Sequence, residues 1–315
     1  MAFRPTVLEV CAGAGGQALG LERAGFDTAA AVEIDQHAVE TLRLNRPKWQ
    51  VIHGDIRELD GTKFRGVDLF AGGVPCPPFS IAGKQLGSDD ERDLFPEAIR
   101  LIGECEPRAV LLENVAGFAG RKFDAYRDAL LSKIQDLGYE PSWRVIQASD
   151  LGVPQLRPRF VLTAIRRSDA ERFSLSAKAV KGPTVGECLL DLMAADGWRG
   201  AGAWAEKANR VAPTLVGGSK KHGGPDLGPT RAKKQWAQLG VDGMGIADLP
   251  PKASDPEDLT PRLTVRMAAR IQGFPDSWKF FGKKTNAYRQ VGNAFPPQVA
   301  SFVGRAIMRA LRAEK

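Results

Sequence analysis

Along the first half of the chain, short apolar runs rich in β-branched residues alternate with stretches in which apolar residues recur every three to four positions. Residues 6–11, 29–34, 50–53, 67–71, 109–113, 143–148 and 160–165 have the first pattern and read as strands. Most lack the polar alternation of a half-exposed sheet, which predicts burial on both faces. Residues 18–24, 37–45, 95–105 and 124–137 read as helices, and Tyr126, Leu130, Ile134 and Leu137 fall on one stripe of the last. Such alternation predicts an α/β fold with a doubly wound, largely parallel sheet, whose ligands bind beyond the carboxyl ends of the strands.

After Arg167 the texture changes. Residues 178–261 are rich in Gly, Pro, Lys and Trp, with irregular apolar pieces and basic clusters at Lys220-Lys221-His222 and at Arg231, Lys233 and Lys234, the pattern of a second, loop-rich domain. Regularity returns over 262–272, and residues 299–311 read as an amphipathic terminal helix preceded by Pro296-Pro297. No internal repeat interrupts this order.

With 315 residues, 43% hydrophobic and 26% charged, the chain has the composition of a globular protein large enough for two domains. No apolar run approaches the ~18 residues of a membrane span, and Arg4 and Glu9 interrupt the position of a signal peptide's apolar stretch, so a cytosolic protein is expected. The four cysteines include no C-x2-4-C pair and are accompanied by three histidines, which predicts free thiols and no metal site. A net charge of +7 suits a polyanionic partner, because Lys and Arg release condensed counterions from phosphates; it suits a merely basic protein equally well.

Candidate chemistry lies at the predicted strand ends. The loop Cys11-Ala12-Gly13-Ala14-Gly15-Gly16 follows the first strand and opens a helix, a setting for a nucleotide-like cofactor or for a tight turn without a ligand. Its spacing is not G-x-G-x-x-G, which disfavours a nicotinamide dehydrogenase. Glu33 and Asp55 end the second and third strands, where an acidic side chain can bind ribose hydroxyls. After the fourth strand comes Gly72-Gly73-Val74-Pro75-Cys76-Pro77-Pro78-Phe79-Ser80. Three prolines exclude regular structure around Cys76 and present its thiol at the ligand edge as a nucleophile. Glu113-Asn114 ends the fifth strand beside it, a carboxylate placed as a general acid or as a solvated charge. Gln155-Leu156-Arg157-Pro158-Arg159 places two guanidinium groups just before the seventh strand.

In this order, and continued by Arg262 to Pro275 with its closing Gln272-Gly273-Phe274-Pro275 and by Gly292-Asn293, these motifs resemble the DNA (cytosine-5) methyltransferases over nearly the whole chain. The resemblance implies a Rossmann-like methyltransferase sheet, formed by residues 1–177 and 286–315, with a smaller loop-rich target-recognition domain, residues 178–285, inserted before the C-terminal helix. It implies S-adenosyl-L-methionine as cofactor, S-adenosyl-L-homocysteine as product, and a cytosine flipped out of double-stranded DNA. Cys76 would add to carbon 6 of that cytosine, Glu113 would act at ring nitrogen 3, and Arg159 with Arg157 would hold the base and a phosphate.

The same resemblance assigns the cofactor to Cys11, Ala12, Gly13, Gly15, Gly16, Glu33, Ile34, Asp55, Ile56, Pro75, Asn293 and Phe295, with Ile56 packed on the adenine ring. DNA contacts fall to Ser80, Lys84, Gln85, Arg92, Arg159, Thr214, Leu215, Gly217, Gly218, Lys220 and Lys221, with residues 83–92 as a closing loop. The implied enzyme is a monomer of the prokaryotic cytoplasm, associated with the nucleoid, beside which a cognate restriction endonuclease can act separately. Three positions depart from the family pattern. Cys11 replaces a usual aromatic, Pro77 a usual Gln, and Arg92-Asp93-Leu94-Phe95 is one residue short. A transfer-RNA methyltransferase shares the motifs, but the long Gly/Lys-rich insert favours DNA, and the joint presence of Cys76, Glu113 and Arg159 disfavours an inactive DNA-binding subunit.

Overall fold

The computed structural model describes residues 4–76, 93–176, 179–217 and 225–312; Pro77, Ser80, Lys84, Gln85, Arg92, Gly218, Lys220 and Lys221, and with them the whole expected closing loop, lie outside the described residues. The chain forms two compact units, one of Met1–Ile146, Pro158–Ala177 and Val299–Lys315, the other of Gln147–Arg157 and Lys178–Gln298. Residues 147–157 and 286–298, grouped on sequence with the first domain, make their contacts in the second unit.

In chain order the first unit carries β1 (Thr6–Val10), α1 (Gly16–Ala24), β2 (Asp27–Glu33), α2 (Gln36–Asn45), β3 (Val51–His53), β4 (Leu69–Gly72), α3 (Phe95–Cys105), β5 (Ala109–Val115), α4 (Asp124–Asp136), β6 (Tyr139–Gln147), β7 (Pro158–Arg166) and α5 (Arg167–Ala170). The seven strands form one sheet in the order β3-β2-β1-β4-β5-β7-β6. All seven predicted strands are present. β1 through β5 are parallel to one another, whereas β7 runs antiparallel to β5. Val10 pairs with Gly72 and Gly72 with Leu112, so β1 and β4 end level and β5 runs three residues past them at the same edge. The order reverses between β1 and β4, which makes the crevice outside their ends the switch point of a doubly wound sheet.

Burial on both faces holds for β4, β7 and most of β1 and β5 but not for β6, in which Trp143 and Val145 are 36% and 44% exposed. β6 is an edge strand, and an apolar residue there covers its neighbours from one side only: the Trp143 ring stacks on Phe160 at 5.1 Å, with the Arg127 guanidinium 4.5 Å from its other face. The core beside β5 and β7 is aromatic, with the Phe118 ring 5.2 Å from Phe95, 5.1 Å from Phe123 and 4.9 Å from Phe160.

The second unit carries α6 (Val185–Met193), α7 (Ala201–Lys207), α8 (Thr230–Gln238), α9 (Val265–Gln272) and α10 (Lys284–Asn293), joined by irregular chain with isolated β-bridges. It is therefore more helical than its composition implied. α6 had a readable start, since the Thr184 hydroxyl accepts from the Glu187 amide and the Glu187 carboxylate from the Thr184 amide, a reciprocal cap ahead of buried Val185, Leu189 and Met193. The last helix, α11 (Pro297–Leu311), returns to the first unit from Val299 onward. Among the described residues no helix is long and apolar enough to cross a membrane.

α11 approaches α1 through Gly304. A β-carbon there would stand 2.8 Å from Ala24 Cβ and 2.9 Å from Leu21 Cδ2. Gly304→Val should therefore lower stability by about 1–3 kcal/mol, the usual cost of overpacking, measured as a lower urea midpoint; an unchanged midpoint would show that this contact is not tight.

Candidate active site

The chain leaves β4 as Gly73-Val74-Pro75-Cys76. The half-buried Cys76 thiol donates to Asn114 Oδ1 at 3.2 Å, while Asn114 Nδ2 donates to Val74 O at 2.8 Å, so one amide at the end of β5 fixes both the thiol and the loop that carries it. Burial pushes the Cys76 pKa up and the Asn114 contact pulls it back, with the nearby Asp93 and Glu113 carboxylates adding to the rise. The resting group is a protonated thiol. Asp93 is held in turn by the Tyr126 hydroxyl, which donates to its Oδ2 at 2.6 Å, and its Oδ1 accepts from the Phe95 amide at 3.1 Å.

Glu113, one residue before Asn114, pairs with Arg159 through Oε1 and Nε at 2.8 Å, and both side chains are close to nine-tenths buried. Its other oxygen would be 3.3 Å from a β-carbon on Gly73, three residues before Cys76. Burial lowers the Arg159 pKa and Glu113 opposes that fall. Thiol, amide, carboxylate and guanidinium thus gather at the ends of β4 and β5 and the start of β7.

Arg157 is held within the second unit. Its wholly buried guanidinium donates to Leu215 O at 2.5 Å, Gly292 O at 2.6 Å and Ala294 O at 3.0 Å within the second unit. A cation surrounded by main-chain carbonyls is a structural clamp. The same interior holds Gln155, which accepts from the Leu215 amide at 2.8 Å and donates to Gln272 Oε1 at 2.7 Å. Thr214 donates its hydroxyl to Leu156 O at 2.5 Å, Leu215 is fully buried, and a β-carbon on Gly217 would overlap Asn293. Of these three expected DNA contacts Leu215 is buried and Thr214 and Gly217 are half-buried, and the missing side chain of Gly217 lets Gly292 and Asn293 pack close. In the second unit Asn293 is exposed and Phe295 buried.

At the end of β1, Cys11 and Gly13 take positive φ of 51° and 54°, and Gly15, at 82°, caps α1. Nothing lies within 4 Å of where a Gly13 β-carbon would be, so the turn is an open cradle at a helix N-terminus. Glu33 shapes it by accepting from the amides of Gly13 at 2.7 Å, Ile34 at 2.9 Å and Asp35 at 2.8 Å. Asp55 is turned onto Arg57, accepting from its amide at 2.9 Å and its Nη2 at 2.5 Å, and these bonds hold its carboxyl below the usual range. Ile56, expected against an adenine ring, is 3% exposed in the main core, whereas Ile34 is 62% exposed. Burial, with Glu33, Asp55 and Glu9 nearby, pushes the Cys11 thiol up to about 12 and leaves it inert.

Sequence reasoning gave no role to Asn114, Asp93, Tyr126 or Glu9. Glu9 had a signal, an acid inside an apolar strand ahead of a glycine loop. It is fully buried, and desolvation raises its carboxyl to about 8, with the Ala18 amide opposing the rise and Glu33 adding to it. The unfolded chain sheds this proton from about 4.5 upward while the folded chain holds it to about 8, so the native protein loses stability across that window. Glu9→Gln should melt higher than the native protein by a margin that grows between these two pH values. A margin independent of pH would show that Glu9 is not held neutral.

The family model of the C-5 cytosine-specific DNA methylases matches residues 5–309. Type II methyltransferase M.NaeI of Lentzea aerocolonigenes is 57% identical over 312 residues, 98% of this chain and 76% of that protein. Type II methyltransferase M.NgoMIV of Neisseria gonorrhoeae is 52% identical over 313 residues, 98% of this chain and 99% of that protein. The solved structure of the Entamoeba histolytica methyltransferase EhMeth has the same fold, with a TM-score of 0.71 at 15% identity over 99% of this chain and 100% of that one. The thiol at the switch point and the glycine cradle beside it thus belong to a member of the C-5 cytosine-specific DNA methylases, which transfer the methyl group of S-adenosylmethionine to carbon 5 of cytosine in DNA.

Proposed function

We propose that Cys76 is the nucleophile of this reaction, with Glu113 the acid at the base and Arg159 the group that positions Glu113. The observation that carries the reading is the convergence of Cys76, Asn114, Glu113 and Arg159 at the ends of β4 and β5. Carbon 5 of cytosine is a weak nucleophile. Addition of the Cys76 thiolate to carbon 6 moves the ring's electrons toward carbon 5 as an enamine. Glu113 gives a proton to ring nitrogen 3, matching the one the thiol releases, and stabilises the charge that develops there. Loss of the carbon 5 proton after methylation then expels the Cys76 sulfur, and ring nitrogen 3 returns its proton to Glu113 as the ring is restored. Asn114 holds the thiol until the base arrives, and the base reaches it only after leaving the stack, at a cost of a few kcal/mol.

The open glycine cradle fits S-adenosylmethionine, whose sulfonium supplies an electrophilic methyl. Gly13, Gly15 and Gly16 let the backbone come close to it, and Glu33 keeps acceptor capacity for the ribose beyond its three amides. Ile34 offers the free apolar surface for the adenine, and Asp55 takes the amino group once the exposed Arg57 releases it. Asn293 and Phe295, in the second unit, are the remaining residues assigned to the cofactor. Residues 1–177 and 286–315 act as the catalytic domain and 178–285 as the target-recognition domain. The names of the relatives support a Type II modification role, in which a site in duplex DNA is marked against an endonuclease acting separately; we take the enzyme to act as a cytoplasmic monomer.

Cys76→Ala should abolish methylation while leaving duplex binding in place, and Glu113→Gln, which keeps the shape, should slow single-turnover methylation by about 10²–10⁴ with little change in cofactor affinity. Unaltered rates in either variant contradict its assigned role. Exchanging 178–285 for the corresponding segment of a relative with another specificity should move the methylated sequence and keep the Cys76 requirement; an active chimera that still marks the original site places specificity elsewhere.

A further inference from the structure

Within the second unit a hollow of about 650 Å³ is lined by Gln235 and Gln238 of α8, by Asn209 and Arg210 ahead of the Thr214 segment, and by Lys181. α8 has a divided surface. At 100° per residue, Arg231, Lys234, Gln235 and Gln238 fall within one arc of about 100°, and all four are exposed. The opposite side is committed to the fold. Trp236 is fully buried, and Lys233 pairs with Asp226 at 2.7 Å, which removes it from the basic cluster read on sequence. A solvated helix of this kind ordinarily carries acidic residues at i±4 to its lysines, yet the sequence TRAKKQWAQ has none. The side chains of Arg231, Lys234, Gln235, Gln238, Asn209 and Arg210 make no hydrogen bond or ion pair with the described residues.

Three amides and a guanidinium converging unpartnered on one hollow, flanked by cations, match the chemistry of base edges in the major groove. Gln and Asn can bond adenine N6 and N7 in pairs and Arg guanine O6 and N7, and the groove is wide enough for a helix. Asp150, the carboxylate among the lining residues, suits the amino group of cytosine. We propose that the Gln235–Gln238 face of α8, with Asn209 and Arg210 across the hollow, reads base pairs of the recognition sequence in duplex DNA, while Arg231 and Lys234 contact its phosphates. This rests on the assignment of 178–285 as the recognition domain, and gives the reading to residues other than Thr214, Leu215 and Gly217, which are engaged in hydrogen bonding and packing within the second unit.

The test starts from the intact protein and a randomised duplex library, in which sequencing of 5-methylcytosine defines the native site. Asn209→Ala, Arg210→Ala, Gln235→Ala and Gln238→Ala are then assayed on that duplex and on duplexes changed at one base pair each. The proposal expects each variant to lose about 5- to 150-fold of discrimination at one position, with melting temperature and cofactor binding unchanged. Arg231→Ala and Lys234→Ala should weaken methylation alike on all duplexes and flatten its salt dependence. If the four variants keep the native profile, or lose activity equally on every duplex, while exchange of 178–285 still moves the site, the α8 proposal alone falls. If the exchange leaves the site unmoved, both readings fall.

Discussion

The site depends on a constraint of parallel sheets: neighbouring strands whose connections leave toward opposite faces open a crevice at their carboxyl ends. Here that happens between β1 and β4. The register that levels Val10, Gly72 and Leu112 makes the glycine cradle after β1, the Cys76 loop after β4 and the Glu113-Asn114 pair of β5 share one edge. A cofactor turn and a nucleophile need no closer sequence relation than this, and 65 residues separate Cys11 from Cys76 in a chain that brings both to the same row of strand ends.

The antiparallel β7 completes the arrangement. Glu113 lies opposite Val161 and Val115 opposite Arg159, so Glu113 and Arg159 are diagonal neighbours on one face, within reach of long side chains. In so buried a setting each charge needs the other, since removing one partner leaves an uncompensated ion. Asn114, pointing to the other face of the same strand, meets the thiol and the Val74 carbonyl instead. One strand end thus serves the nucleophile with one residue and the acid with the next.

Much of this was legible because it follows from periodicity and from residues that announce chemistry. The apolar runs marked the seven strands, the prolines isolated Cys76, and the glycines after β1 marked the cradle. What sequence could not give was direction and facing. A run such as Phe160 to Ile165 reads the same in a parallel or an antiparallel strand when both faces are buried. Arg157 and Arg159 look alike two residues apart, yet β7 begins at Pro158, so Arg159 rides the sheet while Arg157 precedes it and is drawn among the carbonyls of the second unit. Thr214, Leu215 and Gly217 read as a contact surface because small and polar residues serve close packing and ligand approach equally; only the position of Gly292 and Asn293 separates the two.

The central claim is that the switch-point thiol forms a bond to the base. It is tested most directly with a duplex carrying 5-fluorocytosine at the methylated position, incubated with S-adenosylmethionine, digested and mapped by mass spectrometry. Fluorine cannot leave carbon 5 as a proton does, so elimination stalls and the account predicts a DNA-linked peptide modified at Cys76, absent from Cys76→Ala. A methylated product with no adduct, or an adduct on Cys11, Cys105 or Cys188, would contradict it.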